Sequence, residues 1–195
     1  MSTFVFALKQ SHFMKKVIGL AGSNSDTSIN EKLVKTAGNM LEDVTFEMID
    51  LKKLNLPIYA PSLEKEGFPE DIVALKEIFS KADGLIIASP EHNGSMPAFF
   101  KNIMDWMSRL EGKIFEAHQP VMVMATSPGA RGAATVFEFM KAVMPYWGAN
   151  IVSSYNLGDF YSHFEGDVMK GEEAEQLRAA VGQFEEALEK VNSPA

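Results

Sequence analysis

The sequence predicts an α/β fold in which a five-stranded parallel sheet is covered on both faces by helices. Three observations support this prediction. Short apolar runs alternate five times with longer amphipathic segments, which is typical of βαβ crossovers. Three of the runs are apolar almost throughout, as strands buried on both faces are. The 195 residues contain no internal repeat and no linker that would divide them, so a single domain is expected.

The first half of the chain is predicted to supply two strands and two helices. Residues 17–21 (VIGLA) form an apolar run and should be a buried strand. Residues 30–41 should be a helix, because their apolar side chains recur at helical spacing: Leu33, Val34, Ala37, Met40 and Leu41. Residues 44–51 begin with the alternating pattern VTFEM, which indicates a half-exposed edge strand. Residues 70–81 are predicted to be the second helix.

The second half repeats the strand–helix pair three times. Apolar runs at 85–88 and 121–125 precede helices predicted at 97–110 and 133–144. The mixed stretch IVSS at 151–154 fits the other edge strand, and a last helix is predicted over 172–190. With strands two and five at the edges, the strand order is 2-1-3-4-5, that of a flavodoxin-like three-layer sandwich. Ligands of such sheets bind beyond the carboxyl ends of the strands, where the chain order reverses.

Composition argues against several classes of protein. The formal net charge of -8 is unsuited to a protein that binds nucleic acid, which needs clustered Lys and Arg. Because there are no cysteines, disulfides, thiolate metal sites and thiol redox chemistry are excluded. The four histidines stand far apart without zinc-ligand spacing, so no metal site is expected. No apolar segment approaches the roughly 20 residues that cross a bilayer, and a soluble, cytoplasmic protein without a membrane partner is expected.

Residues 1–13 (MSTFVFALKQSHF) are predicted to be an N-terminal extension, and residues 14–195 a single ligand-binding domain. The extension lacks the basic start and the small-residue cleavage site of a signal peptide. Met14, followed by two lysines, would be a natural start just before the first strand.

The connector at residues 155–170 is unusually aromatic, with Phe160, Tyr161 and Phe164. Long loops in compact domains are often functional. This connector is therefore expected to cover either the ligand pocket or a neighbouring subunit.

The stretch GSNSDTSIN at residues 22–30 follows the first strand. It lacks the G-x-G-x-x-G of a dinucleotide site and the lysine of a P-loop. It instead leads hydroxyl side chains into a helix N-terminus, where unpaired N–H groups and the helix dipole favour a phosphate. Ser28 and Glu31 also fit a capping box, which needs no ligand. Four hydroxyl residues and two asparagines at 23–30 are more than a cap requires, which favours a phosphate site.

The stretch SPEHNGSMP at residues 89–97 follows the third strand. Ser95 and Pro97 are expected to start the next helix, and Asn93 with Gly94 should form a turn. The remaining residues, 90–92, are needed for neither role, and they suit a backbone that passes around a flat ligand.

The stretch TSPGARG at residues 126–132 follows the fourth strand, at the same sheet edge. Its glycines allow close approach of the backbone to a ligand, and Arg131 is a candidate partner for negative charge. The alternative is a surface turn with a solvated arginine.

These stretches resemble the NADPH-dependent FMN reductase family, the flavodoxin-like quinone, azo-dye and chromate reductases. In that family the first strand is followed by G-S-x-R-x-x-S-x-N, and the third by S-P-E-Y-N-x-S-x-P leading to K-N-x-x-D-W. The first motif is matched by Gly22, Ser23, Ser28 and Asn30. The second is longer and more specific, and its matches are Ser89, Pro90, Glu91, Asn93, Ser95, Pro97, Lys101, Asn102, Asp105 and Trp106. The order of elements matches over residues 15–190.

The resemblance implies FMN as cofactor and NAD(P)H as co-substrate. The residues it implies for the FMN phosphate are Ser23, Ser25, Ser28, Ile29 and Asn30. Those it implies for the isoalloxazine ring are Pro90, Glu91, His92, Asn93 and Gly94, with Ser127, Gly129 and Arg131 on the other side. The chain departs from the family at two of these positions. Ser25 replaces a frequent arginine, which leaves the phosphate to neutral donors, and His92 replaces a frequent tyrosine, which adds a titratable group near the flavin.

The resemblance also implies ping-pong hydride transfer from NAD(P)H through the flavin to a quinone, a free flavin, an azo compound or a similar acceptor. It implies a homodimer or homotetramer. Because the cofactor carries this chemistry, no catalytic acid, base or nucleophile is assigned to the chain. The alternatives are a flavin-binding electron carrier, a redox-responsive interaction module, and a phosphate-ligand protein without flavin. Whether NADPH or NADH is preferred stays open, with Arg109 and Arg131 as candidates for a 2′-phosphate contact.

Overall fold

The computed structural model describes residues 14–191; the predicted extension at 1–13 lies outside them. The central sheet is parallel and has the order β2-β1-β3-β4-β5, which confirms the predicted flavodoxin-like topology. Its strands are β1 (Lys15–Ala21), β2 (Val44–Ile49), β3 (Gly84–Ala88), β4 (Pro120–Thr126) and β5 (Asn150–Leu157).

Helices cover both faces of the sheet, because successive side chains of the central strands point to opposite sides. Ile18 of β1 faces α3, α4 and α5, whereas Val17 faces α1 and α6. Both side chains are fully buried. The helices are α1 (Ile29–Asn39), α2 (Pro61–Glu64), α3 (Glu70–Ser80), α4 (Ala98–Met107), α5 (Ala134–Val143) and α6 (Glu172–Lys190). Within residues 14–191, none combines the length and the apolar character that crossing a bilayer requires.

The fifth strand extends to Leu157, three residues beyond its predicted end, and Tyr155 belongs to it rather than to the connector. The polar stretch Ser153-Ser154 suggested an earlier end. The strand nevertheless continues, because it pairs with β4 as far as Thr126 and Leu157, which is buried.

The remaining connector contains a 3₁₀ turn (Phe160–Ser162) and a hairpin of β6 (Phe164–Glu165) and β7 (Val168–Met169). The ring of Phe160 stacks on that of Phe164 at 4.3 Å. Phe160 is buried in the cluster formed by α1 and α6, whereas Tyr161 is exposed.

The asparagine and tryptophan of the K-N-x-x-D-W motif hold the connector that follows β2. Asn102 accepts a hydrogen bond from Tyr59 N at 2.8 Å and donates one to Pro57 O at 3.0 Å. Trp106 is fully buried and donates from Nε1 to the same Pro57 carbonyl at 2.9 Å. This half of the motif therefore anchors the chain between β2 and α2.

Candidate functional site

Three loops leave the carboxyl ends of three neighbouring strands. They are the first loop (residues 22–28) after β1, the second loop (89–97) after β3 and the third loop (127–133) after β4. Backbone hydrogen bonds join their bases: Gly22 N donates to Ala88 O at 2.8 Å, and Ser89 N donates to Met124 O at 3.2 Å. The loops predicted to form one site therefore lie side by side at one edge of the sheet.

Hydroxyl side chains organise the first loop. Ser23 Oγ accepts from Ser25 N at 3.2 Å, and Ser25 Oγ accepts from Thr27 N at 3.3 Å. Ser28 Oγ accepts from Glu31 N at 3.2 Å, so the predicted serine cap of α1 is confirmed. Ser25 and Thr27 remain exposed. The loop thus presents hydroxyl groups and the first-turn N–H groups of α1, which a helix leaves without intrahelical partners.

The side chain of Asn30 faces the interior and is 1% exposed. Its Nδ2 donates to Thr126 O and its Oδ1 accepts from Thr126 N, both at 3.1 Å. These two bonds tie the start of α1 to the end of β4. The amide is therefore engaged by β4, and the backbone N–H is the group of Asn30 that is left for a ligand.

The second loop contains a tight two-residue turn at Asn93 and Gly94, as predicted. Their φ angles are 52° and 77°, and the flanking residues exchange hydrogen bonds, His92 N to Ser95 O at 2.8 Å and Ser95 N to His92 O at 3.1 Å. The predicted role of Ser95 as a helix cap is wrong. Helix α4 begins after Pro97 without a side-chain cap, because Ser95 belongs to the turn.

Glu91 lies just before this turn, and its carboxylate points to the start of α5. Its Oε2 accepts from Thr135 N at 2.9 Å and from Val136 N at 3.1 Å. The sequence-based prediction placed Glu91 beside a bound ring. In the structure its carboxylate joins the second loop to the helix that follows the third loop.

The third loop accepts backbone hydrogen bonds from the connector after β5. Asp159 N donates to Gly129 O at 3.1 Å, and Phe160 N donates to Ser127 O at 3.2 Å. Ser127 Oγ donates within the loop to Gly129 O at 3.1 Å. Arg131 is exposed and bonds through Nη2 to Thr135 Oγ1 at 2.7 Å. All the predicted site residues thus lie on the three loops or in the first turn of α1, and all except Asn30 retain solvent exposure.

Lys52 brings a cation to the first loop that the sequence motif did not reveal. It lies in a 3₁₀ turn just after β2, with Nζ 3.3 Å from Asp26 Oδ1 and 4.0 Å from Glu31 Oε2. Its hydrogen bond to Asp26 raises the pKa of Lys52 above the ordinary value. Lys52 could have been found only from the predicted strand order. Because β2 neighbours β1 and both strands end at the same edge of the sheet, a residue just after β2 lies near the first loop.

A cavity of about 750 Å³ adjoins the first loop, on the side of α1 that faces the β6–β7 hairpin. Asp26, Ser28, Lys32 and the aromatic residues of the connector line it. Lys32 Nζ lies 3.0 Å from Asp167 Oδ1 and 5.1 Å from the ring centre of Phe164. The aromatic connector therefore adjoins the first loop.

The donors at this edge suit FMN. A phosphate monoester needs several hydrogen-bond donors, and the first loop combines hydroxyl groups with a helix N-terminus. A flat ring needs exposed backbone held in a rigid form, and the second and third loops provide it through the His92–Ser95 turn and the bonds to Gly129.

Comparison with known proteins agrees with this geometry. The model of the family described as NADPH-dependent FMN reductase matches residues 15–162. The 2-hydroxy-1,4-benzoquinone reductase of Burkholderia sp is 33% identical over 132 residues, which are 67% of this chain and 70% of that protein. The quinone reductase of Escherichia coli (strain K12) is 31% identical over 140 residues, 71% and 73% of the two chains.

A solved structure resembles almost the whole chain. It is FerB, a flavoenzyme NAD(P)H:(acceptor) oxidoreductase from Paracoccus denitrificans, with a TM-score of 0.74 and 27% identity. The match covers 91% of this chain and 98% of FerB. Together with the family match over residues 15–162, it shows that this chain belongs to the NADPH-dependent FMN reductase family and is an oxidoreductase with FMN as cofactor and NAD(P)H as co-substrate.

Proposed function

We propose that this enzyme transfers electrons from NAD(P)H through FMN to a quinone, with the FMN phosphate on the first loop and the ring between the second and third loops. The observation that carries the proposal is the convergence of these loops, which the contacts of Asn30 with Thr126 and of Glu91 with α5 hold together. Two similar proteins are named quinone reductases, which supports a quinone as the acceptor.

The phosphate donors in this proposal are the hydroxyl groups of Ser23, Ser25 and Ser28 and the backbone N–H groups of Ile29 and Asn30. The positive end of the α1 dipole favours the anion. Lys52 adds a positive charge close to the loop, although Asp26 and Glu31 surround it.

The chain binds and orients the reactants, and bound FMN supplies the chemistry of accepting a hydride and passing on two electrons. NAD(P)H is oxidised by loss of that hydride. The quinone takes up the two electrons and two protons, one of them from the hydride and the other from water, and becomes a hydroquinone. The rigid backbone of residues 90–94 on one side, with Ser127, Gly129 and Arg131 on the other, would hold the ring where the nicotinamide and then the quinone reach it.

The assembly we propose is a homodimer or homotetramer in the cytoplasm. Among the described residues, Ile58 (84% exposed) and Tyr146 (79% exposed) are candidates for a contact with a second copy of the chain. A cytoplasmic location suits an enzyme that uses NAD(P)H as its reductant.

The absorbance spectrum of the FMN-loaded protein tests this function. NADPH should bleach the flavin bands within seconds, and 1,4-benzoquinone should restore them with a higher kcat/KM than an azo dye or free FMN. Flavin-loaded protein that NADPH bleaches only slowly would favour an electron carrier. A colourless protein that takes up no FMN would overturn the proposal.

Replacing Ser25 with arginine should tighten FMN binding about tenfold and leave riboflavin binding unchanged. The reason is that a hydrogen bond to a charged group contributes about 1.5–3 kcal/mol, and riboflavin has no phosphate to receive it. Quenching of flavin fluorescence measures both affinities.

The control for this variant is Ser108→Arg, which adds the same charge at the far end of α4, where Ser108 is exposed. It should leave both affinities unchanged. If Ser25→Arg tightened riboflavin and FMN equally, the phosphate would not lie on the first loop.

A further inference from the structure

We infer that Glu91 is a positioning residue: it caps α5 from the second loop and so holds the second and third loops in one arrangement. This role rests on the proposed function for its effect on FMN binding. The capping contact itself lies within the chain and can be tested separately, without FMN.

The contact has the geometry of a helix cap supplied from a distant part of the chain. Glu91 Oε2 accepts from the N–H groups of Thr135 and Val136, the second and third residues of α5, at 2.9 Å and 3.1 Å. These are the groups that an N-cap side chain ordinarily satisfies. A carboxylate at this end also interacts favourably with the helix dipole.

The residue just before α5 cannot supply a cap. Ala133 has no side-chain acceptor, and it adopts the left-handed conformation, with φ 61° and ψ 37°. Gly132 before it has a φ of 60°. Left-handed backbone at a residue other than glycine costs about 1–2 kcal/mol. The turn into α5 therefore needs stabilisation from outside, and Glu91 provides two hydrogen bonds for it.

This cap lies between the second and third loops, which are the two loops proposed to hold the flavin ring. Glu91 directly precedes the turn at 92–95, while the third loop leads directly into Ala133. At the tip of the turn, a Cβ added to Gly94 would lie 3.8 Å from Thr135 Cγ2. The Glu91 carboxylate fixes the second loop to the start of α5, which directly follows the third loop. If this contact is lost, the second loop can move relative to the third.

Arg131 also faces this helix start. Arg131 bonds to Thr135 Oγ1 through its side chain, and the bonds of Glu91 go to backbone N–H groups, so the two contacts use different atoms of α5. Variants of Glu91 therefore leave the partner of Arg131 in place.

Two variants of Glu91 distinguish the effect of side-chain length from the effect of charge. Glu91→Gln keeps an acceptor oxygen at the same distance and loses the charge, whereas Glu91→Asp keeps the charge and is one methylene too short. We expect Glu91→Gln to bind FMN within about threefold of the wild-type Kd, and Glu91→Asp to bind at least tenfold more weakly. Without FMN, amide hydrogen exchange at Thr135 and Val136 should be at least tenfold faster in Glu91→Asp than in Glu91→Gln.

Asp83→Ala is the matched structural control. Asp83 also accepts a backbone hydrogen bond, from Lys16 N at 2.7 Å, but at the opposite end of the sheet. Its loss should lower Tm and leave the FMN Kd unchanged.

Three results would overturn the inference. The first is unchanged exchange at Thr135 and Val136 in Glu91→Asp. The second is Glu91→Gln losing FMN as severely as Glu91→Asp, which would indicate a direct role of the charge. The third is FMN binding that Glu91→Asp leaves intact. If none of the proteins, wild type included, bound FMN, the proposed function would fail, and the exchange data would still decide the capping role.

Discussion

Replacing Asn30 with leucine is expected to lower the free energy of unfolding of the FMN-free protein by about 2–4 kcal/mol. Leucine has a similar size but no polar group, so the N–H and the C=O of Thr126 would both lose the partners they have at 3.1 Å. Thr126 is 1% exposed, and water cannot replace those bonds without opening the structure. Urea denaturation followed by circular dichroism measures the loss.

The control lies in the same segment. Ser25→Ala removes an exposed hydroxyl and should change the free energy of unfolding by less than about 0.5 kcal/mol. Asn30→Leu should in addition weaken FMN binding. The two hydrogen bonds that join the end of the first loop to the start of the third loop would be lost. A stability for Asn30→Leu within about 0.5 kcal/mol of wild type would mean that the bridge to Thr126 is not formed in solution.

Replacing Gly22 with alanine is expected to destabilise the protein by about 1–3 kcal/mol, as overpacking of a core does, and to weaken FMN binding at least tenfold. A Cβ at this position would clash with Cδ1 and Cγ of Phe100 and would lie 2.9 Å from its Cβ. Rotation of the ring cannot relieve a clash so close to the backbone of α4. Phe100 is 1% exposed, so the first loop itself must move.

A double variant identifies the cause of this loss. Replacing Phe100 with alanine removes the Cγ and Cδ1 atoms that the added Cβ would clash with, so Gly22→Ala should cost less in the Phe100→Ala background than in the wild type. Equal costs in both backgrounds would contradict the assigned clash. Gly182→Ala in α6 is the control for a glycine with free space around it, and it should stabilise the protein by about 0.5–1 kcal/mol.

The strand order followed from the sequence because burial on both faces leaves a mark in the sequence itself. The runs at 17–21, 85–88 and 121–125 became the central strands, and every residue from Leu85 to Ala88 is fully buried. The end of β5 was misplaced because its polar residues, Ser153 and Ser154, look like a strand end. Ser153 instead donates its hydroxyl to Ala180 O, and the strand runs on to Leu157.

The loops at the sheet edge were also predictable, since each follows an apolar run and carries turn residues. The roles of single side chains within them were not. The sequence does not distinguish Asn30, which binds the backbone of β4, from Ser25, which stays exposed. Lys52 had no motif to mark it, because it reaches Asp26 from the turn that follows the neighbouring strand.

The sequence by itself thus determined the topology of the sheet and the position of the three loops that make up the candidate site. Only the tertiary structure decided which motif residues hold the protein together: Asn30 bonds to a residue 96 positions away, Glu91 to one 44 positions away and Asn102 to one 45 positions away. Apolar periodicity is a local property of the chain. The partner of a buried polar group depends instead on which distant backbone atoms the fold brings within about 3 Å of it.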